Sequence, residues 1–382
     1  MNFALSDEQE LLRKEARNFL DTECPKALVR KLESSDPGYS PELWQKMAEL
    51  GWLGLAVPEE HGGVGGSLMD LAVLFEEVGR AAFPSPLFST VVLGVLPLLE
   101  AGSEEQKRLW LPRIASGQTM LTMALTEPEA DYRPDSYRTR AARRGNRLTI
   151  SGTKLFVQNA HTADRLLVVA RTGRTGSAGA GVSIIMVARE APGISITPLI
   201  TIAADKQSEV TFDKVSSSVS DTLGELDNGW PVVEATMRKA TAIRCVEMVG
   251  VAQKAMEMTS SYASTRVQFA RPIGSFQAVQ HRLADMMTDV EGARWLSYQA
   301  VWRLSRAMPA EREVAIAKIW TSDACLRVTA GAQHIHGGVG MDLDYDLHYY
   351  FRRAKALELD FGAAPVHRST AQPAILDDLL AG

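Results

Sequence analysis

An α+β fold in three parts is what the sequence predicts: an N-terminal helical domain (1–118), a central antiparallel β-barrel or sandwich (119–227) and a C-terminal four-helix bundle (228–382). Three observations carry it. Apolar residues recur at i, i+3 and i+4 up to about residue 118, a helical period. From 119 the chain breaks into short β-like runs between turn signals. From Asn228 the helical period returns and holds over long stretches.

In the first part the helical sets are Leu5-Leu11-Leu12-Phe19, Leu43-Met47-Leu50, Leu71-Leu74-Phe75-Val78 and Val91-Leu93-Leu96-Leu99, with Ser6 as the first N-cap. Gly62, Gly63, Gly65 and Gly66 form a loop too rich in glycine for a helix. Neither a preceding strand nor a following Gly-Lys-Ser/Thr supports a phosphate cradle there. In the second part seven runs stand out: Leu121–Leu125, Arg147–Ile150, Leu155–Val157, Leu166–Ala170, Val182–Ala188, Ile194–Pro198 and Ser208–Phe212. The segment from Arg171 to Gly181 is small and polar and reads as a hairpin loop. Arg138, Arg140, Arg143, Arg144 and Arg147 read as a solvated sheet edge, where charge discourages edge pairing. In the third part helices are predicted at Pro231–Arg266, Ser275–Ala307 and Glu311–His336. Pro309 marks a break, and short connections imply an antiparallel bundle.

The bulk numbers narrow the function. With 41 basic against 46 acidic residues the net charge is −5, so no overall basic field draws nucleic acid. Cys24, Cys245 and Cys325 are far apart, which predicts a reducing compartment, no disulfide framework and no metal site. The N-terminus is amphipathic without a signal peptide's apolar run, and Val91–Leu99 is too short to span a bilayer, so a cytoplasmic location is expected.

The most informative stretch is RVQFARPIGSFQAVQ, Arg266 to Gln280. It sets a guanidinium, two carboxamides (Gln268, Gln277) and two rings (Phe269, Phe276) around a Pro-Ile-Gly bend between long helices. Arg266 can fork onto a pyrophosphate, and the helix opening after Gly274 turns backbone N–H groups toward an anion. The same residues also suit a plain helix–loop–helix corner with Arg266 solvated.

Together with Thr126-Glu127-Pro128 and the HGGVG run at His336 to Gly340, this stretch resembles the acyl-CoA dehydrogenase family. The likeness runs from SDEQELLRKEARNFL to FRRAKALEL, Phe351 to Leu359. The resemblance implies a flavoprotein with FAD at a subunit interface, a tetramer, an acyl-CoA substrate oxidised at Cα–Cβ, and an electron-transfer flavoprotein as acceptor. It also implies that Arg266, Gln268, Phe269, Ile273, Phe276 and Gln277 bind the pyrophosphate and adenosine half of a neighbouring subunit's FAD. Gly337, Gly338 and Gly340 would admit that half to the backbone, or simply cap the preceding helix. His334, beside Gln333, falls where many relatives carry Gln. Thr126, Phe156 and Gln158 would lie toward the flavin.

The departures concern catalysis. Removing a thioester α-proton requires a carboxylate beside Cα. The commoner base position aligns with Phe361, followed by the family's Gly at Gly362; the alternative, 26 residues before Arg266, is Ala240. The CoA-contacting Asp and Arg that flank this site in relatives are replaced by Arg238 and Thr241. The small turn that follows Thr-Glu-Pro in relatives is Glu129-Ala130-Asp131-Tyr132, and their Trp-Ile-Thr/Ser is Phe156-Val157-Gln158. Asp360 should face away from a flavin if its segment is extended. Glu247, i+3 from Arg244, suits a helix-surface ion pair. Three readings follow. The chain is a base-lacking subunit, similar to the β-type partners of heterotetrameric actinobacterial enzymes acting on steroid side-chain thioesters, that completes a partner's FAD site. It is a self-sufficient homotetramer with Asp360 or Glu247 as relocated base. Or it is a non-enzymatic flavoprotein scaffold.

Overall fold

The structure, a computed structural model, describes residues 4–129, 132–173 and 181–381, and side chains as far as Gln372. Ala130, Asp131 and most of the glycine-rich loop after Arg171 lie outside the described residues. The chain folds as two compact units. One comprises the segment ending at Arg30, Ser67–Phe83 and everything from Arg238 onward; the other comprises Lys31–Gly66 and Pro84–Met237.

The N-terminal helices are α1 (Asp7–Glu23), α2 (Lys26–Ser34), α3 (Pro41–Glu49) and α4 (Leu68–Ala81), then a π-helical stretch Phe88–Val95 that runs into α5 (Leu96–Ala101), and α6 (Glu104–Ala115). Ser6, Ser67 and Ser103 close capping boxes with Gln9, Asp70 and Gln106. The glycine loop is no anion cradle. The N–H groups of Gly62, Gly63, Val64, Gly65 and Gly66 donate to carbonyls of Glu59, Pro58, Gly54, Val57 and Leu55.

The central sheet has the strands β1 (Leu121–Ala124), β2 (Arg140–Arg144), β3 (Arg147–Gln158), β4 (Arg165–Arg171), β5 (Val182–Ala188), β6 (Ile194–Leu199), β7 (Gln207–Ser218) and β8 (Thr222–Leu223). Their order is β6-β7-β3-β2-β4-β5-β8, with β1 on β4. Most pairings are antiparallel, but β1 and β2 join β4 in parallel. The runs at Arg147–Ile150 and Leu155–Val157 are one bulged strand rather than two, and the arginine cluster includes a strand of its own. β2 is not a plain edge: it pairs with β3 along its length and with β4 at Arg140, while its other arginines point to solvent. Leu148, Ile150, Leu166, Val168, Ile185, Val210 and Phe212 fill the core over this sheet.

The C-terminal helical domain consists of α7 (Trp230–Thr265), α8 (Gln277–Ser305), α9 (Glu311–His336), α10 (Leu347–Leu359) and α11 (Ala364–Ala381), with a two-stranded ribbon, β9 (Val267–Gln268) and β10 (Arg271–Pro272), between α7 and α8. α9 packs against α8, α10 and α11. α4 and α7 touch backbone to backbone. A Cβ on Gly79 would stand 2.0 Å from Glu247 O, and one on Gly250 1.9 Å from Glu76 O, so only glycine permits this crossing. The crossing fixes where Glu247 and its neighbours sit.

Candidate cofactor-binding and catalytic site

The segment after α7 turns back at once. Arg266 N–H donates to Tyr262 O at 2.8 Å, Gln268 pairs with Arg271, and Ile273 N–H closes the base of the hairpin on Arg266 O at 2.9 Å. Phe269 and Ala270 form the tip at φ +53° and +64°, the left-handed pair that a two-residue hairpin turn requires. Neither is glycine, so the turn stores strain. That strain presents the Phe269 ring, 89% exposed, edge-on to Phe276 at 6.1 Å. The Arg271 guanidinium lies 4.1 Å from the Phe276 centroid. Arg266, Gln268 and Gln277 are exposed and Ile273 half-buried. α8 begins at Gln277 without a side-chain cap, which leaves its first turn suited to an anion.

α9 ends at His336, and Gly337 leaves it at φ +63°, ψ −137°, a conformation reserved for glycine. A Cβ on Gly337 or Gly338 would meet only open space, whereas one on Gly340 would lie 2.6 Å from Gln333 Oε1. Two glycines thus leave backbone open to approach, and the third is set by packing. Helix cap and open backbone coexist. His336 stacks on Tyr262 at 4.3 Å, which brings the glycine turn to the root of the hairpin. His334 is exposed, and Gln333 turns inward with Oε1 buried.

At the two base positions, Ala240 is fully buried and Phe361 is 9% exposed. Phe361 and Gly362 have φ of +57° and +94°, so the segment is a turn and not extended. In this turn the Asp360 Oδ2 meets Arg244 Nε at 3.0 Å. Arg244, one helical turn after Ala240, also holds Glu247 in a tight ion pair. Glu247 is completely buried rather than at a helix surface, and Arg353 reaches its other oxygen at 3.4 Å. Arg353 in turn donates to Phe83 O at 3.1 Å. Below the turn, His367 Nε2 donates to Phe361 O at 3.0 Å, and Lys318 Nζ to Leu357 O at 2.6 Å. Arg238 pairs with Glu311 at 3.3 Å, and Thr241 is buried. Sequence reading paired Arg244 with Glu247 but missed that the same guanidinium also holds Asp360. The i+4 spacing of Arg244 from Ala240 was the available signal.

The flavin-edge candidates belong to the other unit. Thr126 O accepts Leu155 N–H at 2.8 Å, tying the turn after β1 to β3. Glu127 is pinned beneath it. Its carboxylate accepts from Lys154 at 2.7 Å and from the N–H groups of Arg138 and Thr139. Burial pushes the Lys154 ammonium down to about 8 despite the attraction of Glu127. Burial pushes Glu127 up, but Lys154 and the hydrogen bonds from Arg138 and Thr139 outweigh it and hold the carboxyl below its ordinary value. Glu127 is therefore a structural pin. Phe156, at φ +54°, sits in the bulge where β3 slips against β7, and its ring is 53% exposed. Gln158 O accepts Thr122 Oγ1 at 2.6 Å and its side chain is half-buried.

Three family profiles match the chain: "Acyl-CoA dehydrogenase, N-terminal domain" over 6–118, "middle domain" over 122–215 and "C-terminal domain" over 227–376. A probable acyl-CoA dehydrogenase, YngJ of Bacillus subtilis, is 32% identical over 373 residues, covering 96% of this chain and 98% of that protein. Among solved structures, the ChsE4-ChsE5 complex from Mycobacterium tuberculosis superposes with a TM-score of 0.90 at 31% identity, over 98% of this chain and 99% of that one. The Tcur3481-Tcur3483 steroid ACAD gives 0.87 at 32% identity, over 98% and 99%.

Proposed function

The chain belongs to the acyl-CoA dehydrogenase family, and from that premise we propose that it is a subunit without a base of its own, which completes the FAD site of a partner subunit. One observation carries this reading. Both family base positions are hydrocarbon, Ala240 and Phe361, and the two carboxylates weighed as replacements, Glu247 and Asp360, both pair with the guanidinium of Arg244. Each carboxylate is thus engaged with a cation of this chain rather than presented to a substrate. No residue at either position is therefore suited to take the α-proton of a thioester.

The binding half is intact by contrast. Exposed Arg266, Gln268 and Gln277, the Phe269 and Phe276 rings and the open backbone at Gly337 and Gly338 fit an adenosine diphosphate moiety, with Arg266 on the pyrophosphate. When bound, FAD supplies the acceptor for the β-hydride; an electron-transfer flavoprotein then takes the electrons. This chain supplies grip and orientation, while the partner supplies the base and the CoA site. That relatives in solved structures include the two-component pairs named above supports a hetero-oligomer, and "steroid" in one of those names supports a steroid side-chain thioester as substrate.

The test is stoichiometry. The purified chain alone should hold little FAD and turn over no acyl-CoA. Co-purified with the product of a neighbouring acyl-CoA dehydrogenase gene, it should give a mixed tetramer with flavin on half the polypeptides, whose turnover survives Glu247→Gln and Asp360→Asn. Full flavin occupancy with turnover by the chain alone would overturn the proposal.

A further inference from the structure

His336 sits at the joint between the two segments just assigned to cofactor binding, and its surroundings fix its chemical state. The residue is 3% exposed, with Nδ1 2.8 Å from Ala332 O and Nε2 3.1 Å from the Tyr345 hydroxyl. A carbonyl oxygen only accepts, so Nδ1 carries the proton and Nε2 accepts from Tyr345. Burial, which lowers the imidazole's proton affinity, favours the same neutral form. The ring stacks on Tyr262 at an interplanar angle of 23° and leans on Tyr345 at 5.3 Å. Tyr262 is also the residue whose carbonyl receives Arg266 N–H, where the hairpin springs from α7.

On its other side, His336 is followed by Gly337 and Gly338, whose missing Cβ atoms leave the backbone open but also conformationally free. A backbone that must meet a ligand to within about half an ångström needs an anchor. We propose that His336, fixed by Tyr345 and Tyr262, is a positioning residue that holds the Gly337–Gly340 turn in register with Arg266, so that both meet one adenosine diphosphate moiety. This rests on the cofactor-binding reading above.

Isothermal titration of ADP into the co-purified mixed tetramer, stripped of its FAD, separates the two. Tyr345→Phe keeps the ring and removes only the hydroxyl. It should weaken ADP about fivefold, more than the accompanying small fall in melting temperature accounts for, with faster amide exchange at Gly337 to Val339. His336→Gln, which can place an acceptor near the position of Nε2, should bind ADP more tightly than His336→Asn, which reproduces only the bond to Ala332. Equal ADP affinity in all four proteins, or losses that merely follow melting temperature, would overturn the positioning role and leave the binding reading standing. Absence of ADP binding by the unaltered, FAD-stripped mixed tetramer would overturn both.

Discussion

Within one unit the chain treats two neighbouring tasks in opposite ways. The Arg266–Gln277 hairpin and the Gly337–Gly338 backbone are displayed: charges unburied, a phenyl ring held out by a strained turn, glycines with empty space beside them. The Ala240 and Phe361 positions are sealed: apolar, buried, and fastened by Arg244, Arg353 and His367. Displayed groups lose water and gain partners only when something binds, whereas sealed charges have already exchanged their water for one another. A chain built to donate binding groups to a neighbour, without chemistry of its own, would be arranged in this way.

The sharpest way to break the contrast is Arg244→Met. It removes the cation that Glu247 and Asp360 share, with Arg353 still on Glu247, and breaking a buried pair from one side costs about 3–5 kcal/mol. Urea denaturation should register that loss, while ADP binding by the folded protein stays within about twofold, because no contact to the hairpin is removed. A loss under about 1 kcal/mol would mean that this region is solvated and its carboxylates remain available as bases.

Next in size is the pH response of the sealed turn. Burial pushes His367 from an ordinary 6.5 down to about 4, against the hydrogen bond to Phe361. The unfolded chain takes up this proton near 6.5 and the folded chain resists until about 4, so the contribution is complete above pH 6.5 and lost as pH falls from there to 4. The shift corresponds to at most about 3 kcal/mol. His367→Gln keeps a donor for Phe361 O and cannot titrate. Its stability should therefore be flatter across that window than that of the unaltered protein, and identical slopes would remove His367 from the account.

On the displayed side, Arg266→Ala should weaken ADP binding about 10- to 100-fold, the range for a charge-assisted hydrogen-bonded contact. Stability should move by less than about 0.5 kcal/mol, since the side chain is at the surface. A stability loss without an affinity loss would make Arg266 part of a plain corner.

The displayed region was largely legible in the sequence and the sealed one was not, for physical reasons. Helical patterning over about three dozen residues placed α7 to within a residue at each end. Arg266, Gln268 and Gln277, read as ligand-binding groups or, for Arg266, as a solvated corner, are exposed. The local Arg244–Glu247 pair was read from its i+3 spacing, but its burial and the second pair depend on tertiary approach: Asp360 is far along the chain, and the glycine crossing of α4 and α7 that buries Glu247 has no local signature. The strand Arg140–Arg144 was missed because RAARR carries no alternating apolar signal; neighbours in the sheet make it a strand. The Phe361 turn was read as extended because nothing in Asp-Phe-Gly demands a left-handed phenylalanine.

The smallest effect tests whether the hairpin strain has a use. Ala270 holds φ +64° at a tip position where glycine would sit without penalty. Ala270→Gly relieves about 1 kcal/mol of left-handed strain, and part of that gain is offset by the greater freedom of glycine in the unfolded chain. The net change should be a stabilisation of about 0.5 kcal/mol or less, read as a slightly higher urea midpoint. The same freedom loosens the tip that presents Phe269, so ADP binding should weaken by about twofold even as the protein becomes more stable. Opposite signs for stability and affinity are what distinguish a displayed surface from a packed one. If Ala270→Gly weakened both, the hairpin would be part of the structural framework, and the contrast between the two regions would fail on its displayed side.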